Sequence, residues 1–114
     1  MQAKSILVVE DEYFLADDCA SLIREAGLGI VGPIASVEEA LQLISSGGVF
    51  DGALVDVNLQ GSPVFPLLDV LVERELPVAV YTGYPELPER YSNIALFRKP
   101  DQARLAVRYL SQLV

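Results

Sequence analysis

The feature that most narrows the fold of this chain is a series of short, β-branched, mostly apolar runs set apart by stretches with helical spacing. Ile6–Val9, Leu54–Val57 and Val78–Tyr81 are the strongest of these runs. They read as strands covered on both faces, because a half-exposed strand would alternate apolar and polar residues. Gly29–Val31 and Ala95–Phe97 are weaker strand candidates.

Helices are expected between them. Tyr13–Ala26 places Leu15, Cys19, Leu22, Ile23 and Ala26 on one face, and Gly27 follows as a helix-ending residue. Ser36-Val37-Glu38-Glu39 has the form of a capping box, with a hydroxyl and a third-residue carboxylate available to free backbone donors. A third helix over Pro66–Glu75 would turn Leu67, Leu68, Leu71 and Val72 inward. Pro85 and Pro88 make the fourth element short or irregular. The last helix is expected to start from Asp101 as N-cap and to bury Ala103, Ala106, Val107 and Leu110. Five βα units in alternation imply a doubly wound α/β fold, a five-stranded parallel sheet with helices on both faces. In such sheets ligands bind beyond the carboxyl ends of the strands.

Size and charge restrict the functions that fold could carry. At 114 residues, positions 1–114 are expected to form one domain. Eight basic residues against 16 acidic ones give a net charge of −8. That balance excludes nucleic acid as the direct ligand, and it points to cations or simply to solubility. With no His, the chain has no Ser-His-Asp or Cys-His mechanism of its own and no His metal ligand. Its one Cys makes no internal disulfide, which suits a reducing cytoplasm. No run approaches the ~20 apolar residues of a membrane span, and the N-terminus has no signal-peptide pattern. The expectation is a cytoplasmic protein without membrane insertion.

The strand ends carry the chemistry. The first strand runs into Glu10-Asp11-Glu12, the third into Asp56, the fourth ends in Thr82, and the fifth leads to Lys99-Pro100. Clustered carboxylates at Glu10, Asp11 and Asp56 call for a cation or for one protonated member. Oxygen-only ligands favour Mg²⁺ or Mn²⁺, and would disfavour a nucleotide- or flavin-phosphate cradle. A carboxylate can also act as a nucleophile and become an aspartyl phosphate, with an ammonium and a hydroxyl covering the phosphoryl oxygens. Taken singly these residues have bland readings, as helix caps, an ordinary strand Thr and loop punctuation. Taken together, on successive strand ends, they read as one site.

With Ile6–Glu12, Ala53–Asn58, Val80–Gly83 and Leu96–Pro100, the sequence resembles a CheY-like response-regulator receiver domain over essentially its whole length. The resemblance implies strand order 2-1-3-4-5 and Asp56 as phosphoacceptor. It implies Mg²⁺ on Glu10, Asp11, Asp56 and the backbone carbonyl of Asn58, with Thr82 and Lys99 contacting the phosphoryl group. It implies a cis peptide at Lys99-Pro100, and a phosphoryl donor that is a histidine kinase or a histidine phosphotransfer protein. The implied role is a phosphorylation-dependent switch of a two-component system or phosphorelay, with output by protein contact or onward relay. It would not turn over external substrates.

Some positions depart from the family pattern. Leu59-Gln60-Gly61 replaces the common Met-Pro, and Leu96 stands where a switching aromatic is usual. The run Pro77–Tyr84 is similar to a subgroup with a Phe-Ala-Thr-Gly-Tyr-like signature, often of stand-alone receivers, although Tyr81 stands where Ala is expected. Tyr84 would shield the phosphoryl group from water or pack on the surface. Leu105 and Tyr109, one turn apart on the last helix, would suit a partner or homodimer surface, or belong to a wide buried stripe. Cys19 is expected in the core. Two other classes compete with the switch. One is a pseudo-receiver acting as a phosphorylation-independent binding module. The other is a Mg²⁺-dependent phosphohydrolase, for which the chain offers no substrate-loop insertion and no Asp-x-Asp motif on the first strand.

Overall fold

The computed structural model describes residues 3–59, 62–84 and 86–114, with Asn58 described in its backbone alone. In chain order the elements are β1 (Ser5–Val9), α1 (Tyr13–Glu25), β2 (Gly29–Ile34), α2 (Val37–Ser45), β3 (Gly52–Val55), β4 (Asn58–Leu59) and β5 (Ser62–Pro63). After them come α3 (Phe65–Glu73), β6 (Val78–Thr82), a single 3-10 turn (Glu89–Tyr91), β7 (Ala95–Arg98) and α4 (Ala103–Leu113). The five long strands form one parallel sheet in the order β2-β1-β3-β6-β7. Counting those strands alone, this is the expected 2-1-3-4-5. The two-residue strands β4 and β5 pair antiparallel beside it, outside the main sheet.

The apolar runs become strands because both of their faces are covered. Leu7, Val9, Val55 and Val80 point into a core closed by α2 and α3, with Ala40, Ile44, Leu67, Leu68 and Leu71. Ile6, Val8, Leu54, Ala79 and Tyr81 point the other way, onto Cys19 and Ile23 of α1 and Ala106, Val107 and Leu110 of α4. All four residues Ile6–Val9 are fully buried, each aliphatic side chain contributing about 1.5–3 kcal/mol. Gly32 sits at φ +102°, and a Cβ there would lie 2.8 Å from the Val8 carbonyl oxygen. Glycine therefore lets β2 pass this close to β1, where the pairing register shifts between Leu7 and Val9. The peptides preceding Pro33 and Pro100 are cis.

Several element ends differ from the sequence expectation. Ser36 does cap α2, its Oγ accepting from Glu39 N–H at 3.2 Å. Its hydroxyl in turn donates to Glu39 Oε1 at 3.3 Å, so the carboxylate serves the hydroxyl and not the backbone. The N-cap of α4 is Gln102 and not Asp101. Gln102 makes no side-chain cap bond, and its Oε1 instead accepts from Arg98 N–H at 2.7 Å. Ala26 is the exposed end residue of α1, and Val72 is 50% exposed on α3, so neither belongs to the core. The 3-10 turn is the short fourth element that the prolines implied, with Pro85 outside the described residues. Gln60 and Gly61, the departure after Asp56, also lie outside them.

Candidate functional site

The strand order reverses at β1 and β3, and the acids follow directly from these two strands. Backbone hydrogen bonds continue the ladder one residue past the strands: Glu10 N–H donates to Ile34 O, and Asp56 N–H to Val9 O, both at 2.9 Å. Each carboxylate therefore leaves a backbone that is already fixed. Across the sheet, Lys99 N–H donates to Thr82 O at 2.9 Å, which ties the end of β7 to the end of β6.

These bonds bring the expected residues together. Glu10, Asp11 and Asp56 each offer an oxygen, and the three oxygens lie within 4.8 Å of one another. The Lys99 ammonium, on a side chain only 9% exposed, stands 2.6 Å from Glu10 Oε1 and 2.9 Å from Asp56 Oδ2. It also reaches Glu12 Oε1 at 3.3 Å, on a side chain that is largely in solvent. Glu10 Oε2 accepts from Glu12 N–H at 3.1 Å. Thr82 is fully buried, and its Oγ1 accepts from Tyr84 N–H at 3.2 Å.

Burial pushes the Glu10 carboxyl up to about 7; the Lys99 hydrogen bond opposes this and the neighbouring Asp56 charge adds to it. Burial alone would lower the Lys99 ammonium, but hydrogen bonds and charge from Glu10 and Asp56 outweigh it and hold the group above its ordinary value. Glu10 Oε1 is buried, and the Lys99 ammonium at 2.6 Å is the group that compensates it. A hard divalent cation suits this donor set, three carboxylates offering oxygens within 4.8 Å of one another. The implied fourth ligand, the Asn58 carbonyl, belongs to β4, two residues beyond Asp56 and paired with Pro63 of β5.

Beside Asp56 opens a cavity of about 420 Å³, lined by Thr82, Gly83, Tyr84 and Lys99 among others. A Cβ on Gly83 would meet nothing within 4 Å, so this side of the cavity is open. Tyr84 is 48% exposed at the rim. Cys19 is buried as expected, and its surroundings push the thiol up to about 12, by desolvation first and then by the charges of Glu10 and Asp18. On α4, Leu105 is 47% exposed while Tyr109 is half-buried against Phe97 at 5.6 Å, so the two do not form one exposed pair.

One contributor stands in the sequence only as a departure from the family pattern. The Tyr81 hydroxyl donates to Pro100 O at 2.9 Å, and its ring centroid lies 5.8 Å from the Lys99 ammonium. The available signal was an aromatic hydroxyl in an otherwise aliphatic strand, directly before Thr82.

No family model matches the sequence. The Phyllosphere-induced regulator PhyR of Methylorubrum extorquens is 30% identical over 115 aligned residues, covering 96% of this chain. The chain spans 43% of that curated relative's length. SdrG of Sphingomonas melonis Fr1 superposes with a TM-score of 0.82 at 28% identity, over 100% of both chains. The PhyR response regulator receiver domain of Erythrobacter litoralis gives a TM-score of 0.84 at 25% identity, over 99% of this chain and 91% of that one. Fold, strand-end residues and relatives together place the chain among the CheY-like response-regulator receiver domains, and so in two-component signalling.

Proposed function

We propose that the chain is a phosphorylation-dependent switch in which Asp56 accepts a phosphoryl group from a phosphohistidine on a histidine kinase or a histidine phosphotransfer protein. The observation that carries this reading is the Asp56 carboxylate, held 2.9 Å from a buried ammonium and opening onto the 420 Å³ cavity. An Asp56 oxygen attacks phosphorus, the P–N bond to the donor imidazole breaks, and the imidazole leaves with that electron pair and takes up a proton. These 114 residues hold no His, so the donor imidazole lies outside them. Lys99 stabilises the charge that gathers on the phosphoryl oxygens. The Thr82 hydroxyl, already accepting from Tyr84 N–H, can turn its own proton toward the same oxygens.

Bound Mg²⁺ or Mn²⁺, held by Glu10, Asp11, Asp56 and the Asn58 carbonyl, would supply electrostatic neutralisation of the transferring group. Movement of Thr82 changes the backbone it holds at Tyr84, which couples the acceptor to the segment between β6 and β7. The chemistry is stoichiometric modification and its reversal, with no turnover of an external substrate, and output is by protein contact or onward relay. The location that goes with this reading is the cytoplasm.

The test is an intact-mass measurement after incubation with acetyl phosphate, with and without Mg²⁺. The expected result is a Mg²⁺-dependent gain of one phosphoryl group that is lost in Asp56→Ala. No gain with any donor refutes the switch and leaves a phosphorylation-independent binding module.

A further inference from the structure

A parallel βαβ crossover normally lays a helix over the strands it joins. Among the described residues between β6 and β7, the helical structure is the 3-10 turn Glu89–Tyr91. That turn is pinned against α3: Tyr91 stacks on Phe65 with ring centroids 5.2 Å apart, and its hydroxyl donates to Asp69 Oδ1 at 2.7 Å. Below it, toward the start of β6, the missing helix leaves a groove of about 620 Å³. Its apolar surface comes from Val72, Leu76, Ile94, Tyr109 and Leu113. Val72 and Leu113 are 50% and 52% exposed.

The charge around this apolar surface is one-sided. Asp69, Glu73 and Glu75 line the groove against a single cation, Arg90, which is already paired with Asp69 at 3.3 Å. Glu75 also stands out in its backbone. It is a non-glycine residue at φ +59°, just past the end of α3, where glycine is the residue without a steric cost. A carboxylate kept in that conformation, at the rim of an apolar groove, is strain at a candidate functional position.

We propose that this groove is a docking site for a cationic amphipathic segment of a partner protein, its aliphatic face on Val72, Leu76, Ile94 and Leu113 and its Lys or Arg side chains against Glu73 and Glu75. Such a segment restores the cover that the short crossover omits, in the manner of a helix laid in a groove. A second copy of this chain is disfavoured as occupant, because two surfaces of a protein with net charge −8 would repel. The same sign disfavours nucleic acid and anionic membrane. The groove begins at Val78, and Thr82 ends the same strand at the acidic site, roughly 13 Å away at the rise of a β-strand. The groove is therefore separate from the phosphoacceptor, and its surface can be tested in the unphosphorylated protein.

The probe is a synthetic helix-forming peptide with leucines on one face flanked by lysines, compared with the same peptide carrying glutamates in their place. Fluorescence anisotropy at physiological salt should show the lysine peptide binding about tenfold or more tightly than the glutamate peptide. Amide shift mapping should centre on Val72, Leu76, Ile94 and Leu113. Glu73→Lys combined with Glu75→Lys, both at exposed positions, should reverse the preference. Glu75→Gly should raise the urea midpoint, by relieving the left-handed backbone, and at the same time weaken the lysine peptide. Equal affinity for both peptides, shifts centred on the acidic site instead, or an unchanged preference in the charge-reversed protein would each overturn the proposal.

Discussion

Replacing Lys99 with Met removes the cation from the acidic site while keeping most of the side-chain volume. In the native protein the ammonium lies 2.6 Å from Glu10 Oε1 and 2.9 Å from Asp56 Oδ2, and the three side chains are 9%, 4% and 7% exposed. At an effective dielectric of about 20, each pair has a gross attraction of roughly 6 kcal/mol, most of it offset by desolvation. Removing one partner of a buried pair costs more than the net worth of the pair, about 3–5 kcal/mol, because the other charge stays buried. A domain of this size has roughly 5–15 kcal/mol in total, so Lys99→Met should stay folded with a clearly lower urea midpoint.

The pH dependence sharpens this prediction. Glu10 titrates at about 7 in the folded chain against 4.5 for an ordinary glutamate. Between those values the folded state holds a proton that the unfolded state has released. Stability from this group is therefore fully present below pH 4.5 and declines as pH rises to about 7, by roughly 1.4 kcal/mol per unit. Without the Lys99 hydrogen bond, which lowers it, the Glu10 carboxyl holds its proton to still higher pH, so the deficit of Lys99→Met should be largest at pH 8 and smaller at pH 5. Mg²⁺ should then stabilise the variant more than the native protein, a gain that reaches about 2.7 kcal/mol at 100 times its Kd. The assay is urea unfolding at pH 5 and 8, with and without Mg²⁺. A loss under about 1 kcal/mol at pH 8 without metal, or a loss equal at both pH values, refutes the buried-pair reasoning.

Two further predictions rest on the same end of the sheet. Cys19 holds its proton up to about pH 12 against an ordinary 9, so its contribution to stability is complete below 9 and falls as pH rises toward 12. That fall should total up to about 4 kcal/mol and disappear in Cys19→Ala; urea midpoints that run parallel in the two proteins from pH 9 to 11 would contradict it. Tyr81→Phe keeps the ring but strips Pro100 O of its 2.9 Å donor, which should cost about 1–2 kcal/mol in urea unfolding and slow acetyl-phosphate labelling of Asp56. Loss of stability with an unaltered labelling rate would show that the hydroxyl packs the core without positioning Lys99.

Much of the fold is legible in local pattern. Ile6–Val9 and Val78–Tyr81 could only be doubly covered strands, and Ser36 with Glu39 marks the start of α2 within one residue. The failures lie where neighbours distant in sequence intervene. Asp101 has the chemistry of an N-cap, yet Gln102 holds that position because its side chain is drawn back to Arg98 N–H at the end of β7. Val72 has the spacing of a core residue, yet beside the reduced crossover it is 50% exposed.

By itself, the sequence determined which residue types stand at the ends of β1, β3, β6 and β7, because the apolar runs end where polar or charged residues begin. It also determined that any phosphohistidine must come from outside, since the chain contains no His. Tertiary structure alone decided the distances: carboxylate oxygens within 4.8 Å of one another, and 2.6 and 2.9 Å from two of them to the ammonium. Those depend on the parallel register that sets four strand ends side by side, a long-range pairing that no local pattern encodes. Tertiary structure likewise decided that a short crossover would become a groove, because an uncovered face exists only once the helices on either side are packed.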